Sequence, residues 1–108
     1  MKIVYYDLET TNLRPLTGPS GIEIVQIGAI CKHTRSKSQR SFDKYLVPRC
    51  SISPGATQVH GLTRQWLVQR WMNAEADVSL LQQGLQEFMN FLDEQKQYPN
   101  EEIILVRT

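Results

Sequence analysis

"VYYDLETTNL", residues 4–13, decides the reading of this chain. Ile3, Val4, Tyr5 and Tyr6 are β-branched or aromatic, the residue types that fill strands. The run then meets Asp7 and Glu9. Positions i and i+2 of an extended chain share a face, so a strand over about residues 2–7 delivers both carboxylates together from its C-terminal end. Two carboxylates on one face repel, and a bound cation relieves the repulsion. Hard divalent ions that take oxygen ligands, Mg²⁺ or Mn²⁺, suit such a pair. Two such ions roughly 4 Å apart can activate a water and stabilise the leaving oxygen of a phosphodiester. A bare Asp-x-Glu is too short to carry that conclusion, because a solvated strand end has the same letters. The rest of the chain has to decide.

Its 108 residues are enough for one domain, residues 1–108. With 41% hydrophobic and 21% charged residues the composition is that of an ordinary globular protein. A formal net charge of +1 provides no overall attraction to nucleic acid or anionic lipid, so any such attraction must be local. The two cysteines, Cys31 and Cys50, form no CxxC pair and no disulfide framework; two free thiols fit a reducing compartment. No apolar stretch reaches 18 residues, and the N-terminus turns acidic too soon for a secretory leader. These features set the expectation of an intracellular protein, cytoplasmic or nuclear, without a membrane partner.

Outward from the first strand, "NLRPLTGPSG" at 12–21 is broken by prolines and glycines and reads as loop. "IEIVQIGAIC", 22–31, alternates apolar residues on both sides and predicts a strand with both faces largely covered. "KHTRSKSQR" is a polar, basic turn, and "SFDKYLVP" resumes alternation until Pro48 stops it. "RCSISPGATQVHGLT" reads as loop. Thr63 is placed to cap a short helix over 63–71. A longer helix over 79–96 follows, capped by Asp77 or Ser79, with Leu81, Leu85, Phe88, Met89 and Leu92 as its core stripe. "IILV", 103–106, is a last buried strand. The order β-β-β-α-α-β gives an antiparallel meander and a helical crossover that returns parallel to the first strand.

Here the chain resembles a known family. "YYDLETTNL" is similar to the first motif of the DEDD (DnaQ-like) 3′-5′ exonucleases, apolar residues followed by D-x-E-T-T-G-L. The likeness continues through "IEIVQIGAI", "FDKYLVP", "ATQVHGLT" and "LLQQGLQEFMNFL", in the family's order and spacing. The resemblance implies an α/β, ribonuclease H-like mixed sheet of order 3-2-1-4 with two helices, the last strand parallel to the first. It implies metal-dependent hydrolysis of nucleic acid from 3′ ends. It casts Asp7 and Glu9 as metal-binding, catalytic acids and Thr10, Thr11, Leu13 and His60 as substrate-binding residues. Asn12 stands where the family has Gly; both tolerate a left-handed turn.

The family's site uses four acids and a His or Tyr that activates water. The third acid follows the strand resembled by "EEIILV", and this sequence reads only "LVRT" there. The expectation is a domain truncated before its third metal acid, inactive alone, holding at most one weakly bound Mg²⁺ or Mn²⁺. Glu23, Asp43, Asp77, Glu87, Asp93 and Glu94 are not expected opposite Asp7. Two rivals stand beside this: a non-catalytic module that binds nucleic acid or protein, and a truncated gene product without independent function. The final strand would be a sheet edge open to a protein partner or a second copy.

Overall fold

The computed structural model describes residues 1–12, 22–33, 35 and 38–108. Its strands are β1 (Lys2–Thr10), β2 (Ile24–His33), β3 (Gln39–Val47), β4 (Val78–Leu80) and β5 (Ile103–Arg107). Three helices, α1 (Pro54–His60), α2 (Arg64–Met72) and α3 (Leu81–Glu94), lie between β3 and β5.

The sheet order is β4-β3-β2-β1-β5. β1, β2 and β3 form the antiparallel meander, and β5 runs parallel to β1 with Lys2 opposite Ile103. The expected 3-2-1-4 order is therefore embedded in a five-stranded sheet. The added strand is β4, parallel to β3. It is three residues long, too short for period-two alternation to register in the sequence. It also displaces the start of the long helix. Ser79 is a strand residue whose hydroxyl donates to the Leu80 carbonyl, and Asp77 is engaged by Arg70, so neither caps α3.

Alternation in β3 assigns a helix to each side of the sheet. Phe42 and Leu46 face α3. Phe42 packs against Phe88 and Phe91 with ring centroids 5.5 Å apart, over Val4, Ala29 and Cys31. Tyr45 and Val47 face α2 and join Val25, Leu62, Leu67 and Val78 in a second cluster. Trp66 stands edge-on to Tyr45 at 5.3 Å. α3 sits so close to β3 that a Cβ on Gly84 would collide with the buried Leu46 side chain. That approach turns α3 so that Gly84 and Phe91 are buried, while Leu85 and Met89 of the expected stripe are exposed.

The segment 50–61 contains a helix where a loop was expected. Ser53 Oγ accepts from the Ala56 N–H, Pro54 occupies the first turn and Gly61 closes the helix at φ 78°. Proline inside the start and glycine just past the end are the usual boundaries of a helix, and only its seven-residue length hides it. Thr63 caps α2 as expected, accepting from the Trp66 N–H at 3.1 Å.

Two expectations about burial fail. On β2 only Val25, Ile27, Ala29 and Cys31 are buried; Ile30 is exposed on the other face. β5 is not a buried strand, because Ile104, Leu105 and Val106 are all exposed. α2 covers only the β3–β4 end of that second face. Asn12 does not use its left-handed tolerance: among the described residues only Ala74 and Gly61 have positive φ.

Candidate active site

β1 extends to Thr10, so Asp7 and Glu9 both lie within the strand and project from the face that α2 leaves open. Asp7 is exposed, and its Oδ1 accepts from the Leu8 N–H at 3.0 Å. Glu9 is half-buried, and its backbone pairs with Gln26 of β2. Just beyond it the β1–β2 register slips: Glu9 faces Gln26 but Thr10 faces Ile24. Val25 is thus the extra residue of a bulge, a device that bends a strand where it approaches a site.

The chain leaving β1 is held on three sides. The Thr11 N–H donates to the Glu23 carbonyl at 2.9 Å, and the Glu23 N–H donates back to Thr11 Oγ1 at 3.1 Å. The Ser53 N–H donates to the Thr11 carbonyl at 2.8 Å, joining the α1 cap to the end of β1. Thr11 is fully buried by these contacts. Thr10 Oγ1 donates to the Asn12 carbonyl at 2.8 Å.

His60, at the end of α1, completes the clamp. Its Nδ1 accepts from the Leu62 N–H at 3.0 Å, which leaves the proton on Nε2, 2.9 Å from the Thr10 carbonyl. Both ring nitrogens are committed to backbone, so the imidazole fixes the position of the loop against β1. Asp7, Glu9, Thr10, Thr11 and His60 are thereby brought to one end of the sheet. Leu13 lies outside the described residues.

Beneath this clamp the Glu23 carboxylate accepts from the backbone N–H groups of Arg49 at 3.1 Å and Cys50 at 3.0 Å. Burial pushes this carboxyl up, but hydrogen bonds from the Cys50 thiol, the two N–H groups and the Arg49 side chain outweigh it and hold it below the ordinary range. Glu23 is a structural brace.

Asp43 lies in the same cross-strand row as Asp7, but not beside it. The register runs Asp7, Gly28, Asp43 straight across three strands. Gly28 has no side chain and nothing stands within 4 Å of where its Cβ would be. Asp7, Gly28 and Asp43 therefore line one open groove of about 390 Å³. Asp43 is two strand spacings from Asp7, roughly 10 Å, and its Oδ1 already accepts from Gln26 Nε2 at 3.0 Å. No three ligating side chains converge among the described residues. The sequence holds a signal for this row, the isolated Gly28 inside a strand, but not the cross-strand register that aligns it.

Among the basic side chains, Arg70 is bound to Asp77 at 2.7 and 2.8 Å and lies 4.8 Å from the Trp66 ring centroid. The Asp77 hydrogen bond raises its pKa further. Arg64 Nε donates to the Pro48 carbonyl at 3.1 Å. Both are spent on internal contacts. Arg35 and Arg40 are exposed, and Lys37 lies outside the described residues.

The family model described as "Exonuclease" matches residues 4–106, from the strand that carries Asp7 to the last strand. The chain belongs to the DEDD exonuclease family. Enzymes of this family generally use divalent metal ions and act on nucleic acid. Among solved structures, the chain is similar to one titled "crystal structure of full-length 3'-exonuclease", with a TM-score of 0.68 at 15% identity. That likeness establishes the ribonuclease H-like fold. The match covers 98% of this chain and 45% of the other, so these residues span less than half of that exonuclease. No curated protein sequence matches the chain. No described helix is long and apolar enough to cross a membrane.

Proposed function

We propose that these residues form the strand-rich part of a metal-dependent 3′-5′ exonuclease domain. In this reading Asp7 and Glu9 are its first two metal-binding acids. The observation that carries this is their shared, open face at the C-terminal end of β1, inside a family match over residues 4–106. Their donor set fits a hard divalent ion: one exposed and one half-buried carboxylate, beside the side-chain-free Gly28. Mg²⁺ or Mn²⁺ held there would supply Lewis-acid stabilisation of charge on a phosphodiester. The chain's own residues do the positioning. His60 and Thr11 fix the backbone after β1, and Thr10 and Thr11 border the place for a 3′-terminal nucleotide; a contact from Leu13 is what the family resemblance implies.

Two ions bring four positive charges, and this pair of acids answers two. We read the 108 residues as insufficient for turnover, with two further acids and a general base required from another segment. Such a domain would act on nucleic acid with a 3′ end, DNA or RNA. Supplied with Mg²⁺ or Mn²⁺ and a 3′-ended single strand, the 108-residue chain should release no nucleotides above background. Joined to a family-like segment bearing the remaining acids and base it should cleave, and Asp7→Ala should abolish that cleavage. Metal-dependent degradation by the short chain, lost in Asp7→Ala, would overturn the charge argument and direct attention to Asp43.

A further inference from the structure

Pro48 follows β3 and has no N–H to donate. The next two N–H groups, of Arg49 and Cys50, lie past the end of the strand and need acceptors of their own. The Glu23 carboxylate supplies them. Its Oε2 accepts from the Arg49 N–H at 3.1 Å and the Cys50 N–H at 3.0 Å, and its Oε1 accepts from Arg49 Nε at 3.3 Å. From this anchor the chain runs through Ser51 and Ile52 to Ser53, whose N–H donates to the Thr11 carbonyl at 2.8 Å and whose Oγ caps α1. α1 ends at His60, and His60 Nε2 reaches the Thr10 carbonyl at 2.9 Å. The Cys50 thiol adds a shorter route, in hydrogen-bond contact with both the Glu23 carboxylate and the Thr11 side chain. These routes from the Glu23 carboxylate all end on Thr10 or Thr11, the two residues that follow Glu9.

The sheet alone does not fix that end of β1. The β1–β2 register slips between Glu9 and Thr10, so the regular ladder that holds Asp7 is interrupted just past Glu9. Beyond the slip, the position of the strand end depends on what grips Thr10 and Thr11.

We propose that Glu23 is a positioning residue of this site: its carboxylate holds the 49–53 turn, and through it the end of β1 that aims Glu9 at the ion. Glu23 touches neither the metal nor the nucleic acid. The inference rests on the metal-binding reading of Asp7 and Glu9, and it uses only bonds among β1, the start of β2, the turn after β3 and α1. Two other roles for Glu23 predict different behaviour. A bare negative charge would attract the cation by Coulomb force alone, so Glu23→Gln and Glu23→Ala would weaken binding alike. A general stabiliser would act no differently from Glu101, a buried carboxylate that pairs with Lys2 at the opposite end of β1. A positioning residue acts through the hydrogen bonds it accepts, which the amide oxygen of Gln partly keeps and Ala loses.

The test is Mn²⁺ binding by the 108-residue chain at pH 7, read from the electron paramagnetic resonance of the free ion, at a temperature where circular dichroism shows every variant folded. Glu23→Ala should weaken binding about tenfold, the low end of what groups behind metal ligands contribute. Glu23→Gln should fall between Glu23→Ala and wild type, and Glu101→Gln should match wild type. Wild-type affinity in Glu23→Ala, equal weakening in Glu23→Ala and Glu23→Gln, or the same weakening in Glu101→Gln would overturn the proposal. If Glu23→Ala fails to fold, Ser53→Pro takes its place. Ser53 has φ −63°, which proline accepts, and the substitution deletes the N–H that grips Thr11 without removing a charge. Weaker binding there upholds the route, and unchanged binding overturns it. A wild-type chain that binds no Mn²⁺, or binds it equally well as Asp7→Asn, overturns the metal-binding reading itself and the proposal with it.

Discussion

Replacing His60 with alanine separates a clamp from a surface histidine. The wild-type ring makes two contacts to backbone, accepting from the Leu62 N–H at 3.0 Å and donating to the Thr10 carbonyl at 2.9 Å. Each is a partly buried hydrogen bond worth about 1 kcal/mol net. His60→Ala removes both. The residue is only half-buried, so water can reach the stranded groups and the full desolvation penalty does not apply. The expected loss is about 2 kcal/mol, equivalent to a melting temperature lower by about 10 °C for a domain of this size. Urea denaturation measures it directly: the midpoint should fall with the slope unchanged, because the surface exposed on unfolding is the same. His60→Gln should recover part of the loss, since one amide can restore one of the two bonds. A midpoint shift worth less than about 0.5 kcal/mol for His60→Ala would match an ordinary surface substitution. The claim that His60 anchors the end of β1 would then be wrong.

Gly84→Ala sets a helix-propensity gain of about 1 kcal/mol against a clash with fully buried Leu46 costing about 1–3 kcal/mol. A net destabilisation in urea is expected, and an equal or higher midpoint would show that α3 can lift off β3. Glu101 is buried where β1 and β5 begin, 3.5 Å from the N-terminal amine and 3.6 Å from Lys2 Nζ. The Gln97 N–H holds its carboxyl below its ordinary value of 4.5, with Lys2 and the amine acting in the same direction against the effect of burial. A depressed folded-state pKa gives stability that is present above about pH 4.5 and lost as pH falls through the folded value. Glu101→Gln should therefore lower the urea midpoint at pH 7 and converge on wild type in strong acid; a difference that does not depend on pH would refute this.

The meander and the shared face of Asp7 and Glu9 were legible because each rests on a local period, and the parallel return of β5 because a helical crossover of that length leads to a parallel strand. Alternation marks the strands, and i, i+2 spacing puts both carboxylates on one face whatever the rest of the fold does. Thr63 was legible as a cap for the same local reason. What escaped depends on contacts between distant segments. β4 exists because Val78–Leu80 lies beside β3, not because three residues carry a pattern. The burial of Gly84 in place of Leu85 follows from the space above Leu46. The Asp7–Gly28–Asp43 row needs two registers, one of them shaped by the bulge at Val25. His60 was visible as a residue near the site, but the tautomer that ties it to Thr10 depends on Leu62.

The central claim is that Asp7 and Glu9 form the metal end of the sheet. It is tested most directly by titrating the 108-residue chain with Mn²⁺ and following paramagnetic broadening of assigned backbone amides. Broadening should centre on Asp7 to Thr10 and on Gly28 across the strand, at weak affinity, and should disappear in Asp7→Asn and in Glu9→Gln. Broadening centred elsewhere, or unchanged in both variants, would contradict the account.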